Sequence, residues 1–171
     1  MKRSFFILLL SLTFSCTAFA AGTAHSDTKP MPVLDIDQTV VKIPLAKGVS
    51  MDDAVESMKI RANKLNIKLV AEMPLSKQIE AMGVKSRRID IYQFCDPLTA
   101  KKMVEYDINF AAYLPCRITL VEDAKGQAWL VMMNLDMFIQ DPKINGPLKD
   151  DAIRIRNTLT EIMQAGAKGD W

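Results

Sequence analysis

The chain carries one histidine, His25, in 171 residues, and it stands near the N-terminus. A single imidazole excludes most metal-hydrolase sites, most haem-ligand sets and the Ser-His-Asp arrangement. His25 itself reads as a solvated residue of a tail. Cysteine is nearly as scarce, with three residues, and no CxxC pair or haem-attachment CxxCH occurs. A Gly-rich phosphate loop and a GxSxG elbow are also missing from the sequence. Neither sign of charge dominates: 22 basic residues face 20 acidic ones. A nucleic-acid binder would need a basic face, and this balance supplies none. What is present is an ordinary globular mixture, 49% hydrophobic and 25% charged, of a length that suits one domain.

The N-terminus has the three-part layout of an export signal. Lys2 and Arg3 precede the apolar run Phe5 to Leu12, and Ala18-Phe19-Ala20 offers small residues at both positions a signal peptidase reads. Residues 1–20 are therefore expected to be a signal peptide cleaved after Ala20, sending the protein to the periplasm. The apolar run falls short of the roughly 20 residues of a membrane span, and no later segment offers one. Loss of Lys2 and Arg3 leaves basic and acidic residues in equal number, so the mature chain is close to neutral. Cys16 departs with the signal, leaving Cys95 and Cys116.

Residues 21–37 are small and polar, with Pro30 and Pro32, and read as a flexible leader; residues 38–165 read as a single domain. Thr39 to Leu45 is β-rich. Ser50 precedes Asp52 and Asp53 as a helix cap, and Met51, Ala54, Val55, Met58, Ala62 and Leu65 form one apolar stripe. A strand over 67–73 stops at Pro74, and Ser76 is positioned to cap a short helix ending at Gly83. Arg88 to Cys95 is a third strand. Asp96-Pro97 then starts a helix running to about Tyr106, and Pro115 opens a strand over 116–122. The turn 123–126 returns the chain as a fifth strand ending at Met133. Leu148, Ala152, Ile155, Leu159, Ile162 and Met163 mark a closing helix. The expected fold is α+β, a mainly antiparallel sheet of about five strands with helices packed on one face.

Two cysteines in an exported chain suggest a disulfide before two free thiols. If the third and fourth strands are antiparallel neighbours, the end carrying Cys95 lies beside the start carrying Cys116, near the roughly 5.5–6 Å a disulfide needs. Alternation read on that basis places both on the face of the isoleucines, and leaves Asp90 and Arg117 together on the other as a cross-strand ion pair. A parallel crossover would instead set the cysteines at opposite ends. Buried inert thiols, a redox pair and a metal site remain open beside the disulfide. A reactive thiol would need a lowered pKa, aided by Arg117 or the helix start at Asp96-Pro97. The methionines recur at core-facing spacing and read as core filler, although thioethers with Cys95 and Cys116 form a soft set for Cu(I).

Phe94-Cys95-Asp96-Pro97, then Leu114-Pro115-Cys116-Arg117-Ile118 and the Gly126 turn, resemble the domain-of-unknown-function family 302. Members typically carry Phe-Gly-Asn-Pro and Leu-Pro-x-Arg-Val in this order. The likeness covers about residues 38–140, and Cys95 and Cys116 mark this chain as resembling a cysteine-bearing subgroup. The resemblance implies a compact α+β domain, often a dimer, in bacteria. It implies no reaction, and no cofactor or catalytic residue follows from it. Two functions are carried forward. The first is a non-catalytic periplasmic accessory protein, stapled by Cys95–Cys116, that binds a small molecule or a partner protein. Its candidate ligand contacts are Arg117, Asp96, Arg88 and Tyr92. The second is a thiol-based redox or sulfur-handling protein using the same cysteines.

Overall fold

A computed structural model describes residues 35–170. The expected signal peptide, and the leader as far as residue 34, lie outside the described residues.

Helix α1, Met51–Lys64, begins where the sequence places its cap. The Ser50 hydroxyl accepts from the Asp53 backbone N–H at 3.0 Å, and the Asp53 carboxylate accepts from the Ser50 N–H at 3.3 Å. This reciprocal box satisfies two otherwise unpaired donors of the first turn. The stripe Ala54, Val55, Met58 and Ala62 is buried, as its 3.6-residue spacing requires. Helix α5, Gly146–Lys168, packs against α1 and presents Leu159, Ile162 and Met163 to the same core.

Both helices cover one face of a five-stranded sheet. Its strands are β1 (Val40–Pro44), β2 (Lys68–Pro74), β3 (Ile89–Cys95), β4 (Cys116–Glu122) and β5 (Ala128–Met133), ordered β1-β5-β4-β3-β2 with every neighbouring pair antiparallel. This is the expected α+β arrangement. Consecutive strands β2, β3, β4 and β5 lie side by side, while β1 reaches the far edge because α1 carries the chain across the sheet.

The core face takes Tyr92 and Phe94 from β3, Ile118 and Leu120 from β4, and Leu130 and Met132 from β5, all buried. Burying one such side chain contributes about 1.5–3 kcal/mol, so these six side chains anchor the fold. Register decides which residues share this face. Phe94 stands opposite Cys116 and Gln93 opposite Arg117. Cys116 therefore projects with the core residues, and Cys95, one step beyond Phe94, belongs to the other side of the strand. The expected common face for the two cysteines is not formed. Asp90 and Arg117 likewise lie on opposite faces, and the ion pair expected between them does not exist. Asp90 is buried and is held by Arg88, whose Nε lies 2.7 Å from Oδ2.

Ser76 is also reassigned. Helix α2, Leu75–Ala81, starts two residues earlier than a Ser76 cap would give, with Pro74 at the cap position and no side-chain cap, and the buried Ser76 hydroxyl faces Asp90 Oδ1 at 3.4 Å. Three short elements have no counterpart in the sequence reading: the 3-10 segments Ile36–Gln38 and Ile108–Tyr113, and helix α4, Asp136–Ile139.

Candidate functional site

The end of the sheet where β3 stops and β4 begins is capped by chain rather than by a long helix. Asp96 caps α3, Pro97–Tyr106, accepting from the Leu98 and Thr99 backbone N–H groups at 3.1 and 3.2 Å, with Pro97 in the first turn. The 3-10 segment follows, then a cis peptide at Leu114–Pro115 leads into β4. On the far side, α4 and the stretch before α5 build a second, smaller core around Ile139, Ile144 and Ala152. Tyr113 and Phe138 join the two caps, their ring centroids 4.2 Å apart.

Between the main core and this satellite lies a cavity of about 60 Å³. Its wall is almost wholly apolar and includes Phe94, Met103, Phe110, Phe138 and Leu159. Both cysteines reach this wall. Cys116 gets there from the core face, and Cys95 does so because it is the last residue of β3. They are free thiols, where the sequence reading expected a bond between them.

Burial pushes the Cys116 thiol up to about 11, reinforced by the neighbouring Cys95 and opposed in part by Arg117. Cys95 is also raised, first by burial and then by the negative charge of Asp96. A poised nucleophile needs the opposite shift, so neither residue meets the condition set for a reactive thiol. The Cys116 shift carries a consequence for stability. Between pH 9 and 11 the unfolded chain releases this proton and the folded chain keeps it. The contribution is complete below about pH 9 and is lost as pH rises through about 11. Wild-type unfolding free energy is expected to fall across that window by about 2 kcal/mol more than that of Cys116→Ala, measured by urea unfolding at each pH.

A polar cluster closes one side of the cavity. The Asp96 carboxylate accepts from the Thr99 hydroxyl at 2.9 Å and from Arg154 Nη2 at 3.0 Å. Arg154 also donates to Thr99 Oγ1 at 2.6 Å and to Asp151 at 3.2 Å, and Lys102 lies 3.1 Å from Asp151. The Thr99 hydroxyl bond and the Arg154 guanidinium hold the Asp96 carboxyl below its ordinary range against the desolvation that would raise it. Because Arg154 is already shared between two carboxylates, this cluster locks α3 to α5 and leaves no free cation for an anionic ligand.

The candidate ligand contacts therefore separate. Asp96 is in the cavity wall with Cys95 and Cys116. Arg117 is exposed on the opposite face of β4, and Arg88 and Tyr92 gather around Asp90, away from the lining. Tyr92, raised to about 12 chiefly by burial and next by Asp90, is a core residue with its hydroxyl 3.5 Å from that carboxylate. Met103, Phe110 and Phe138 were not singled out from the sequence. Phe110 and Phe138 come from the short 3-10 segment and α4, which carry no periodicity, while Met103 lies on the expected helix α3 but on no stripe read from the sequence. Among the described residues there is no cluster of three or more His, Cys, Asp or Glu side chains placed to hold a metal.

The family described as "Domain of unknown function DUF302" matches residues 41–166. The chain belongs to this family. Among solved structures it is similar to an uncharacterized conserved DUF302 protein from Bacillus stearothermophilus, at 17% identity and a TM-score of 0.61. That match covers 74% of this chain and 97% of the other, and at this identity it speaks for the shared DUF302 fold. No curated protein matches the chain. Among the described residues, no helix is long and apolar enough to cross a membrane.

Proposed function

We propose that this DUF302 protein is an exported, non-catalytic binding module that holds a small apolar molecule in the cavity between its two cores. Export rests on the N-terminal signal layout, and it makes the working protein the chain beginning at Ala21. The observation that carries the binding reading is the cavity itself. It has an almost wholly apolar wall, stands at the end of the sheet and is roofed by short, separable elements. Sites for small molecules are typically concave, apolar and furnished with a few fixed polar groups. Here the fixed groups are Asp96 and Thr99, already locked by Arg154. Raised thiols and a carboxylate committed to Arg154 provide neither nucleophile nor general base, which supports a module that binds without catalysis.

At about 60 Å³ the cavity is smaller than the ~150 Å³ apolar cavity that stays dry and takes benzene, so a single ring enters as the short capping elements shift outward. The test uses p-xylene and cyclohexane as probes of the purified mature chain, followed by amide chemical shifts in NMR. Saturable shifts are expected in residues 94–116 and 135–159. Ala100→Phe, which fills the wall from α3, should weaken both probes by at least about tenfold, roughly the loss of one modest hydrophobic contact. Thr119→Ala, on the far face of the sheet, should leave binding unchanged. Absence of saturation, or equal binding by Ala100→Phe, would remove the reading.

A further inference from the structure

Three sulfur-bearing residues that the sequence keeps apart line this one cavity. Cys95 ends β3, Cys116 opens β4 and Met103 lies in the middle of α3, and all three side chains line the same cavity. The other methionines are distributed differently. Met58, Met132 and Met163 are buried in the main core, while Met73, Met82 and Met137 are exposed. Among the methionines of the described residues, Met103 alone stands with the cysteines in the cavity wall. We propose that Cys95, Cys116 and Met103 form a binding site for a single Cu(I) ion.

The donor set selects the metal. Two thiolates and a thioether are soft ligands, which favour Cu(I), whereas Zn(II) and harder ions gain little from a thioether and call on imidazole or carboxylate to complete their shells. Asp96 is the one carboxylate in the wall, and its oxygens are already engaged by Thr99 and Arg154, so it is not available as a hard ligand. Cu(I) is satisfied by two or three sulfurs and does not require the fourth ligand that tetrahedral zinc demands. The surrounding aromatic and aliphatic wall restricts water and sets the local dielectric, the outer-shell condition under which a metal site is tuned. Binding changes no oxidation state. Each cysteine gives up its proton to solvent as its sulfur bonds copper, so uptake of one Cu(I) releases two protons and yields a bis-thiolate complex with the thioether as third donor. This inference uses the same cavity as the apolar-ligand reading but different atoms of its wall, the sulfurs, so each reading has its own titration.

The test titrates the reduced mature chain with Cu(I) under argon against the chelator bathocuproine disulfonate. One Cu(I) per chain should be withheld from the chelator. Cys95→Ser and Cys116→Ser should each abolish that retention, and Met103→Leu, which keeps the volume, should weaken it by at least about tenfold. Met137→Leu serves as the exposed control and should change nothing. Circular dichroism and thermal unfolding of each variant separate loss of a ligand from loss of the fold. No retention by the folded wild-type chain would overturn the site. So would undiminished retention in either folded serine variant or in Met103→Leu, and so would Zn(II) held more tightly than Cu(I). The p-xylene titration reads the cavity independently, so the failure of one proposal leaves the other measurable.

Discussion

Gly166→Val is expected to lower the stability of the folded domain by about 3 kcal/mol, equivalent to a fall of about 10 °C in Tm. Gly166 lies in α5 where that helix crosses α1. A Cβ placed on it would stand 2.5 Å from Met58 Cγ, 3.0 Å from the Ala54 carbonyl oxygen and 3.0 Å from Leu130 Cδ1. Met58 can rotate away, but the Ala54 oxygen is backbone and can yield only if α1 and α5 separate. The two helices share the core with Met58, Leu159 and Ile162, so separation would open the most densely buried layer of the protein. Gly166→Ala makes the argument sharp. In an exposed helix this change would gain about 1 kcal/mol from propensity. Here the close approach should outweigh that gain, giving a net loss of about 1 kcal/mol. Thermal unfolding of both variants checks the claim, and a Gly166→Ala protein more stable than wild type would refute it.

Gly166 also shows where sequence reading stops. The 3.6-residue stripe from Leu148 to Met163 reveals α5, but the small residues beyond it carry no hydrophobic signal, and the helix continues to Lys168. The close contact that makes glycine necessary depends on the distance between two helices, which no local pattern encodes. By contrast, punctuation at helix ends is legible. Asp96-Pro97 marks the start of α3, Ser50 with Asp53 marks that of α1, and both are found with their side chains bonded as caps. Those signals are local, involving groups within three residues of each other, so they survive without knowledge of the fold.

The sheet faces were lost for a different reason. Period-2 alternation in β3 and β4 is clear, but it does not say how the strands are offset. Offset is set by the connection through α3 and the 3-10 segment, and a one-residue slip exchanges every side chain between faces. Aligning Cys95 with Cys116 puts both on the side of Ile89 and Ile91, whereas the actual partner of Cys116 is Phe94. The apolar residues Ile89 and Ile91 on the outer face, against Asp90 on the inner one, made the wrong alignment look reasonable. Tyr92 and Phe94, larger than the isoleucines, were the better guide to the buried side. The cavity is legible only in part. Ala152, Ile155 and Leu159 of its wall lie on the stripe that marks α5, but Phe110, Tyr113, Phe138 and Ile139 come from elements too short to show a period.

That misleading Asp90 supports the second large prediction. Arg88→Ala is expected to destabilise the domain by about 3 kcal/mol, far more than an exposed ion pair contributes. Asp90 is 6% exposed, and its one close partner is Arg88 Nε at 2.7 Å. Ser76 and Tyr92 hydroxyls stand at 3.4 and 3.5 Å, too far to replace a charged donor. Removing the guanidinium therefore leaves a buried carboxylate without a compensating cation. The same side chain reaches outward to Asp52 in the first turn of α1, at 2.5 Å from Nη1, so it ties β3 to the start of that helix. Arg88→Lys should fall between wild type and Arg88→Ala, because an ammonium can meet one carboxylate but cannot span both with a planar fork. The decisive comparison is the double variant Arg88→Ala with Asp90→Asn. If the cost comes from an orphaned charge, neutralising Asp90 should recover more than half of it, a coupling readable by urea unfolding of all four proteins. Additive losses would instead mean that Arg88 acts by covering apolar surface with its stem, and the pair would then be incidental to the stability of this end of the sheet.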